Sequence, residues 1–441
     1  MEQKTSNFQL IILIVFGFFI FIGVILFATA KMSPNGAVSI TPVTMWGTMS
    51  SETMDGLFRI INEKNENSLK ITYIQKDAKT FEQNLVEAIA DGIGPDIIIL
   101  PQDMILKNVN KFAFLPYSSY PLRNFKDQFI DASSLYLRSD GIIAMPFVID
   151  PMIMYWNKTH FVNAGIIAPP KDWDEFSKTV AKVTKKDSNF NVTQSGTALG
   201  EYQNVLHAKD ILSMLFIQAG VPIVSKNSAD EYSPNLYSNP SRSQNLPAES
   251  ALSFYTDFAN PAKESYSWNR SLKSSRDSFI SAETSTYFGL ASELASIPLK
   301  NPNLNFDIAK IPQVPNTAKK SVFAKMYGLA VLKSSKNQTS AFNQVFTLVS
   351  KDGITELSSL TNLPPVRKDV LANNPADLYM QIFYESALQA ETWPDPSSSA
   401  TELLYKNMIE SVISGKLTPE QAINGAQNEL GNIIKNTIKT E

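Results

Sequence analysis

The chain has 441 residues, 39 Lys and Arg against 42 Asp and Glu, a formal net charge of −3 and no cysteine. That length exceeds what one ordinary core supports, so two units of roughly 150–200 residues are expected. The near balance of charge excludes the single-sign field that nucleic acid or an anionic surface selects. The lack of cysteine excludes disulfides, thiolate zinc sites, cysteine nucleophiles and a lipid-carrying cysteine.

Residues 8–30 form an apolar run interrupted only by Gln9, Gly17, Gly23 and Thr29 and free of charge, long enough to span hydrocarbon as one helix. Lys4 precedes it, partly offset by Glu2, and Lys31 follows directly; a cytoplasmic N-terminus is expected. Ala28-Thr29-Ala30 has the small-x-small pattern of a cleavage site, yet the run is longer than the roughly 7–15 apolar residues of a signal peptide core. The expectation is a single-pass anchor in the cell membrane with everything after residue 31 extracytoplasmic; cleavage and secretion is the alternative.

After a linker at residues 31–36, residues 38–46 are rich in β-branched side chains and end at Gly47, which predicts a strand. Ser50 and Ser51 offer N-caps, and Met54, Leu57, Phe58 and Ile61 follow at helical spacing. Residues 69–76 read as a second strand. Residues 80–90 read as a helix with Phe81, Leu85, Val86 and Ile89 on one face, stopped by Asp91-Gly92. The aliphatic run through Ile97-Ile98-Ile99-Leu100 is that of a strand buried on both faces. This β-α-β-α-β order predicts a parallel sheet covered by helices, with right-handed crossovers. Ligands collect beyond the carboxyl ends of such strands, which makes residues 46–49, with Trp46 and Thr48, and residues 101–103, with Asp103, pocket candidates.

Residues 141–157 are apolar but broken by Pro146 and Asp150-Pro151, which predicts an extended crossing between lobes rather than one uninterrupted strand. Asp172 with Glu175 three residues on starts a helix with the stripe Trp173, Phe176, Val180 and Val183, read as core. Residues 225–246, dominated by Ser, Asn and Pro, read as a surface excursion without chemistry. Strands are expected at 306–312 and 326–332 and a helix at 341–349. The C-terminal helices run from 402 to 413, stopping at Gly415, and onward from Thr418-Pro419-Glu420-Gln421.

These segments, in order, resemble the extracellular solute-binding proteins that include the maltose-binding protein. Gly94-Pro95-Asp96-Ile97-Ile98 is similar to that family's Gly-x-Pro-Asp-Val segment, and Pro146, Tyr155 and Asn157 stand as in its crossover. Residues 161–176, FVNAGIIAPPKDWDEF, are similar to a phrase of the family, with Asp172 where Thr is usual. Residues 328–336, 364–370 and 417–430 carry further matches, so the resemblance covers about residues 43–434.

The resemblance implies an α/β fold of the two-lobed periplasmic-binding-protein-like kind, with discontinuous lobes joined by hinge segments and preceded here by one N-terminal transmembrane helix. Residues 1–36 would hold the cytoplasmic stub, anchor and linker. Residues 37–148 with about 304–360 would form lobe 1, and about 149–303 with about 361–441 lobe 2. It implies the substrate-binding component of an ABC importer: a monomer with no cofactor or metal that captures a small molecule in the cleft and delivers it to ABC permease subunits. The ligand expected is a carbohydrate, with a peptide or other polar solute as the alternative. Sugar clefts use flat aromatic rings and a few orienting polar groups, so Trp46, Tyr155, Trp268, Phe288 and Trp393 join Thr48, Asp103 and Asp150 as candidates.

An exported glycosidase is the rival of another class, but no pair of carboxylates stands out for it. The only two histidines, His160 and His207, leave little material for a triad or a zinc site, and no Gly-rich phosphate loop is present. A membrane-anchored sensory receptor would share every feature above.

Overall fold

The computed structural model describes residues 40–65, 68–236 and 247–439. The apolar run at residues 8–30, with its anchor and cleavage pattern, lies outside the described residues. Among the described residues no helix is long and apolar enough to cross a membrane.

The chain enters through β1 (Val43–Gly47), α1 (Ser51–Lys64), β2 (Ile71–Gln75), α2 (Phe81–Ala90) and β3 (Ile97–Pro101). Ser50 caps α1, its Oγ accepting from Thr53 N at 3.2 Å, and Met54, Leu57, Phe58 and Ile61 are the buried face. β1 lies between β2 and β3, parallel to both, with Val43 opposite Ile71 and Met45 opposite Ile97. On α2 the buried residues are Phe81, Leu85 and Ala88, whereas Val86 is exposed. Positions i, i+4 and i+7 share a helical face, and the fifth residue on from Phe81 falls well away from it.

The chain continues through β4 (Met145–Asn157), α3 (Trp173–Val183), β5 (Val192–Thr197), α4 (Ala208–Gln218), β6 (Ile223–Lys226) and β7 (Tyr232–Asn235). It goes on through α5 (Pro247–Asp257), α6 (Ser275–Ile280), β8 (Thr284–Leu290), β9 (Phe306–Ala309) and β10 (Val322–Val331). The last helices are α7 (Gln338–Leu348), α8 (Lys351–Thr361), α9 (Leu378–Leu388), α10 (Ser398–Ile413) and α11 (Pro419–Lys439). The main sheet runs β2-β1-β3-β10-β4-β8-β5, with β10 antiparallel to β3 and β4.

β4 corrects the expectation of a broken crossing: it is one strand of 13 residues, buried throughout. Its prolines are tolerated because the strand changes partner along its length. Met145 to Pro151 pair with β10, and Met152 to Trp156 with β8. Pro151 thus stands at the handover, and Pro146 beside the register shift at Tyr327/Gly328, positions where a missing N–H costs least. The predicted excursion at 225–246 also includes regular strand. β6 and β7 form an antiparallel hairpin whose turn is tied by Asn227 Oδ1, which accepts from Ala229 N and Glu231 N.

Two apolar cores result. The first gathers β1, β3, α1 and α2 with Met326, Leu329 and Val331 of β10. The second gathers α3, α4, α5, α10 and α11 with Met152, Met154 and Trp156 of β4. Asp172 caps α3, its Oδ1 accepting from Glu175 N at 2.8 Å, and Trp173, Phe176, Val180 and Val183 are all buried. Gly415 closes α10 at φ +69°, and Thr418 and Gln421 bond each other's backbone N–H at the start of α11, as their spacing predicts.

Candidate functional site

At the carboxyl ends of β1 and β3 the chain leaves the sheet into a cavity of about 370 Å³. Its first wall is Thr48, Pro101 to Met104, and Lys79, Phe81 and Glu82 at the start of α2. Its second is Lys209 and Asp210 of α4, Trp393, Asp395 and the first turn of α10, while Phe323 to Tyr327 of β10 pass between them. Phe81, Met104 and Met326 belong to the first core and Phe323 and Trp393 to the second, so the cavity lies between the cores. Gly47 makes this exit possible: a Cβ there would stand 2.7 Å from Ile99 Cδ1 and 2.8 Å from the Tyr73 hydroxyl.

A second cavity of about 620 Å³ shares Lys107 and Ser397 with the first and is otherwise lined by Val86, Asn108, Asn110, Lys111, Ala400 and the end of α11. The second cavity therefore adjoins the first on the α2 side of the sheet.

The charges in the first cavity are largely paired. Five carboxylates (Glu82, Asp103, Asp210, Asp395, Glu402) face four ammonium groups (Lys79, Lys107, Lys209, Lys325). Lys107 lies 2.9 Å from Glu82, Lys209 2.9 Å from Asp395 and 3.4 Å from Glu402, and Lys325 3.3 Å from Asp210. Asp395 also accepts from Ser397 N at 3.0 Å and from Thr401 Oγ1, so it ties down the start of α10 while holding Lys209. Burial pushes the Asp210 carboxyl up, but Lys325 and His207 outweigh it and bring it to about 2. Burial likewise opposes the Lys209 charge, and Asp395 with Glu402 overcomes it. Among the described residues no protein donor reaches Asp103, which leaves it an acceptor for an incoming group.

Of the candidates from the sequence, Thr48, Asp103 and Trp393 line this cavity together. Trp393 is backed by the Tyr405 ring at 6.3 Å and 18°. The other five are not on its lining. Trp46 is buried in the first core with the Lys76 ammonium 3.7 Å above its ring. Asp150 lies behind the cavity on β4, opposite Lys325 in the register, and accepts from Ser292 N at 3.0 Å. Tyr155 is fully buried among Phe279, Tyr287 and Phe306, with its hydroxyl donating to Leu290 O. Trp268 is fully buried in the second core and donates to Asn204 Oδ1 at 3.0 Å, and Phe288 packs on Trp173 and Phe176. For these rings the apolar interior is the larger attraction.

Sequence reading missed Lys209, Asp210, Lys325, Tyr327 and Asp395. The available signal was Lys209-Asp210 at the head of the otherwise apolar ILSMLF run of α4, since a helix buried all round rarely spends charges without a use.

The sequence profile described as "Bacterial extracellular solute-binding protein" matches residues 57–381. The galactooligosaccharide-binding protein of Bacillus subtilis (strain 168) is 21% identical over 385 residues, covering 84% of this chain and 85% of that one. The cyclic alpha-maltosyl-1,6-maltose binding protein from Arthrobacter globiformis shares the fold at a TM-score of 0.73 and 16% identity, over 90% of this chain and 99% of that one. UgpB from Mycobacterium tuberculosis, in complex with glycerophosphocholine, does so at 0.69 and 15%, over 90% and 99%. With the profile spanning most of the chain and the two-lobed mixed α/β fold agreeing along its length, the protein belongs to the bacterial extracellular solute-binding proteins.

Proposed function

We propose that this chain is the extracytoplasmic receptor of an ABC importer, which takes an uncharged oligosaccharide into the cleft between its two cores and hands it to membrane permease subunits. The observation that carries the reading is the cavity itself, where Trp393 and Asp103 meet a set of charges in which three of the four ammonium groups are already held by carboxylates. A sugar offers hydroxyl donors to Asp103 and an apolar face to a ring. The adjoining second cavity offers room for a ligand of several units rather than a single hexose. The galactooligosaccharide-binding relative supports the same class.

Capture rather than catalysis fits this site, and closure of the lobes follows from binding energy that selects one state of a two-state hinge. Export of a monomeric binding unit falls to residues 8–30, which we read as a retained anchor, with cleavage after Ala30 as the alternative.

A glycerol phosphate is the second reading, because the UgpB of Mycobacterium tuberculosis shares the fold and the sn-glycerol-3-phosphate-binding UgpB of Salmonella typhimurium is 26% identical over 162 residues, 33% of this chain. It needs uncommitted cations, and among the described residues Lys79 is the one ammonium of the four without an acidic partner. A thermal-shift panel of oligosaccharides, monosaccharides, sn-glycerol 3-phosphate and short peptides decides the matter. Stabilisation by oligosaccharides is expected, and stabilisation by glycerol phosphate or peptides alone contradicts the reading.

A further inference from the structure

From the cleft wall inward, five charged side chains alternate in sign. Arg276 Nε of α6 lies 3.1 Å from Glu293 Oε2, and Glu293 Oε1 lies 2.7 Å from His207 Nε2. His207 Nδ1 lies 3.2 Å from Asp210 Oδ2, which lies 3.3 Å from Lys325 Nζ. Asp210 and Lys325 line the cavity; the other three do not. Tyr287 OH and Leu290 N also donate to Glu293, at 2.8 and 3.0 Å, which fixes that carboxylate.

Both ring nitrogens of His207 face carboxylate oxygens, and an ionised carboxylate only accepts, so the ring must donate from both sides. His207 also begins α4 with its backbone in the left-handed region, φ +64°, while its carbonyl takes the first helical bond from Ile211 N. A non-glycine residue held there is strained, and such strain persists where the surroundings over-determine it.

We propose that His207 is a positioning residue for ligand capture: its doubly protonated ring fixes Asp210, and Asp210 in turn holds Lys325, in the wall of the cleft. This rests on the cleft reading above. Burial opposes the ring's charge, but Asp210 and Glu293 outweigh it and lift His207 to about 9. The groups around it are Lys209 and Asp210 on α4, Glu293 after β8, Tyr287 on β8, Arg276 on α6, Lys325 on β10 and Asp150 on β4. A charge gained with partners is retained below the folded value and lost as pH rises through about 9.

The test uses the full chain and the variant His207→Asn, chosen because Asn tolerates the left-handed backbone. With two histidines in the sequence, nitrogen NMR reads His207 directly once His160→Gln assigns the other ring. The ring should stay doubly protonated up to about pH 9. Carbon NMR should place the Asp210 carboxyl midpoint near 2 in the wild type and at least about one pH unit higher in H207N, as expected when a neighbouring cation is lost. Affinity for maltotetraose, the probe, should fall about tenfold in H207N, and in the wild type between pH 8 and 10, a step H207N lacks.

An Asp210 midpoint unmoved by H207N, or a maltotetraose affinity within about threefold of wild type, overturns the proposal. If no saccharide binds the wild type, the sugar reading fails, while the Asp210 midpoint still decides whether His207 positions the wall.

Discussion

Lys209 Nζ lies 2.9 Å from Asp395 Oδ2, with 9% and 4% of the two side chains exposed, and ties α4 to the turn before α10 across the second wall of the cleft. Removing Asp395 would leave the buried Lys209 ammonium with only the half-exposed Glu402 carboxylate, 3.4 Å away. Asp395→Ala should therefore lower unfolding stability by about 3–5 kcal/mol, and Lys209→Met in the same background should restore much of the loss. Urea denaturation of the single and double variants measures both, and additive losses would contradict the pairing.

The tryptophans separate by what they touch. Trp268 is enclosed in the second core, so Trp268→Ala should cost about 3–5 kcal/mol while the folded fraction keeps its ligand affinity. Trp393 borders the cavity and stacks on Tyr405. Trp393→Phe should lower stability by less than about 2 kcal/mol and weaken sugar binding at least about tenfold, about 1.4 kcal/mol. Equal affinity for Trp393→Phe and wild type would place that ring in the core alone.

Burial raises the Asp150 carboxyl to about 6, against the donation it receives from Ser292. An unfolded aspartate titrates near 3.9, so the folded state holds an extra proton between those values. The stabilisation is present at low pH and is lost as pH rises through about 6. Asp150→Asn should match wild type near pH 4 and exceed it by about 1–3 kcal/mol at pH 7.5. Guanidinium melts at both values check this, and a less stable variant at pH 7.5 would mean that the ionised carboxylate holds β4 to β10.

Much of the fold was legible because its signals are local. The caps at Ser50, Asp172 and Thr418 and the stripes on α1 and α3 follow from spacing alone. β4 was misread because its prolines count as breakers until one knows that Pro151 sits at a change of partner. Asp103, Thr48 and Trp393 were readable from strand ends and from the resemblance. Lys209, Lys325 and Asp395 were not, because pairing across 186 residues between Lys209 and Asp395 is set by how the two cores meet. The same long-range packing drew Trp268 and Phe288 inward, a distinction that aromatic composition does not encode.

Titration calorimetry of the full-length protein and Asp103→Asn with the best-stabilising oligosaccharide tests the central claim most directly, since Asp103 lines the cavity without a protein donor among the described residues. A hydrogen bond to a charged group contributes about 1.5–3 kcal/mol. The account predicts one ligand per chain and an affinity loss of roughly tenfold to a hundredfold in the variant; one-to-one binding that Asp103→Asn leaves unchanged would contradict it.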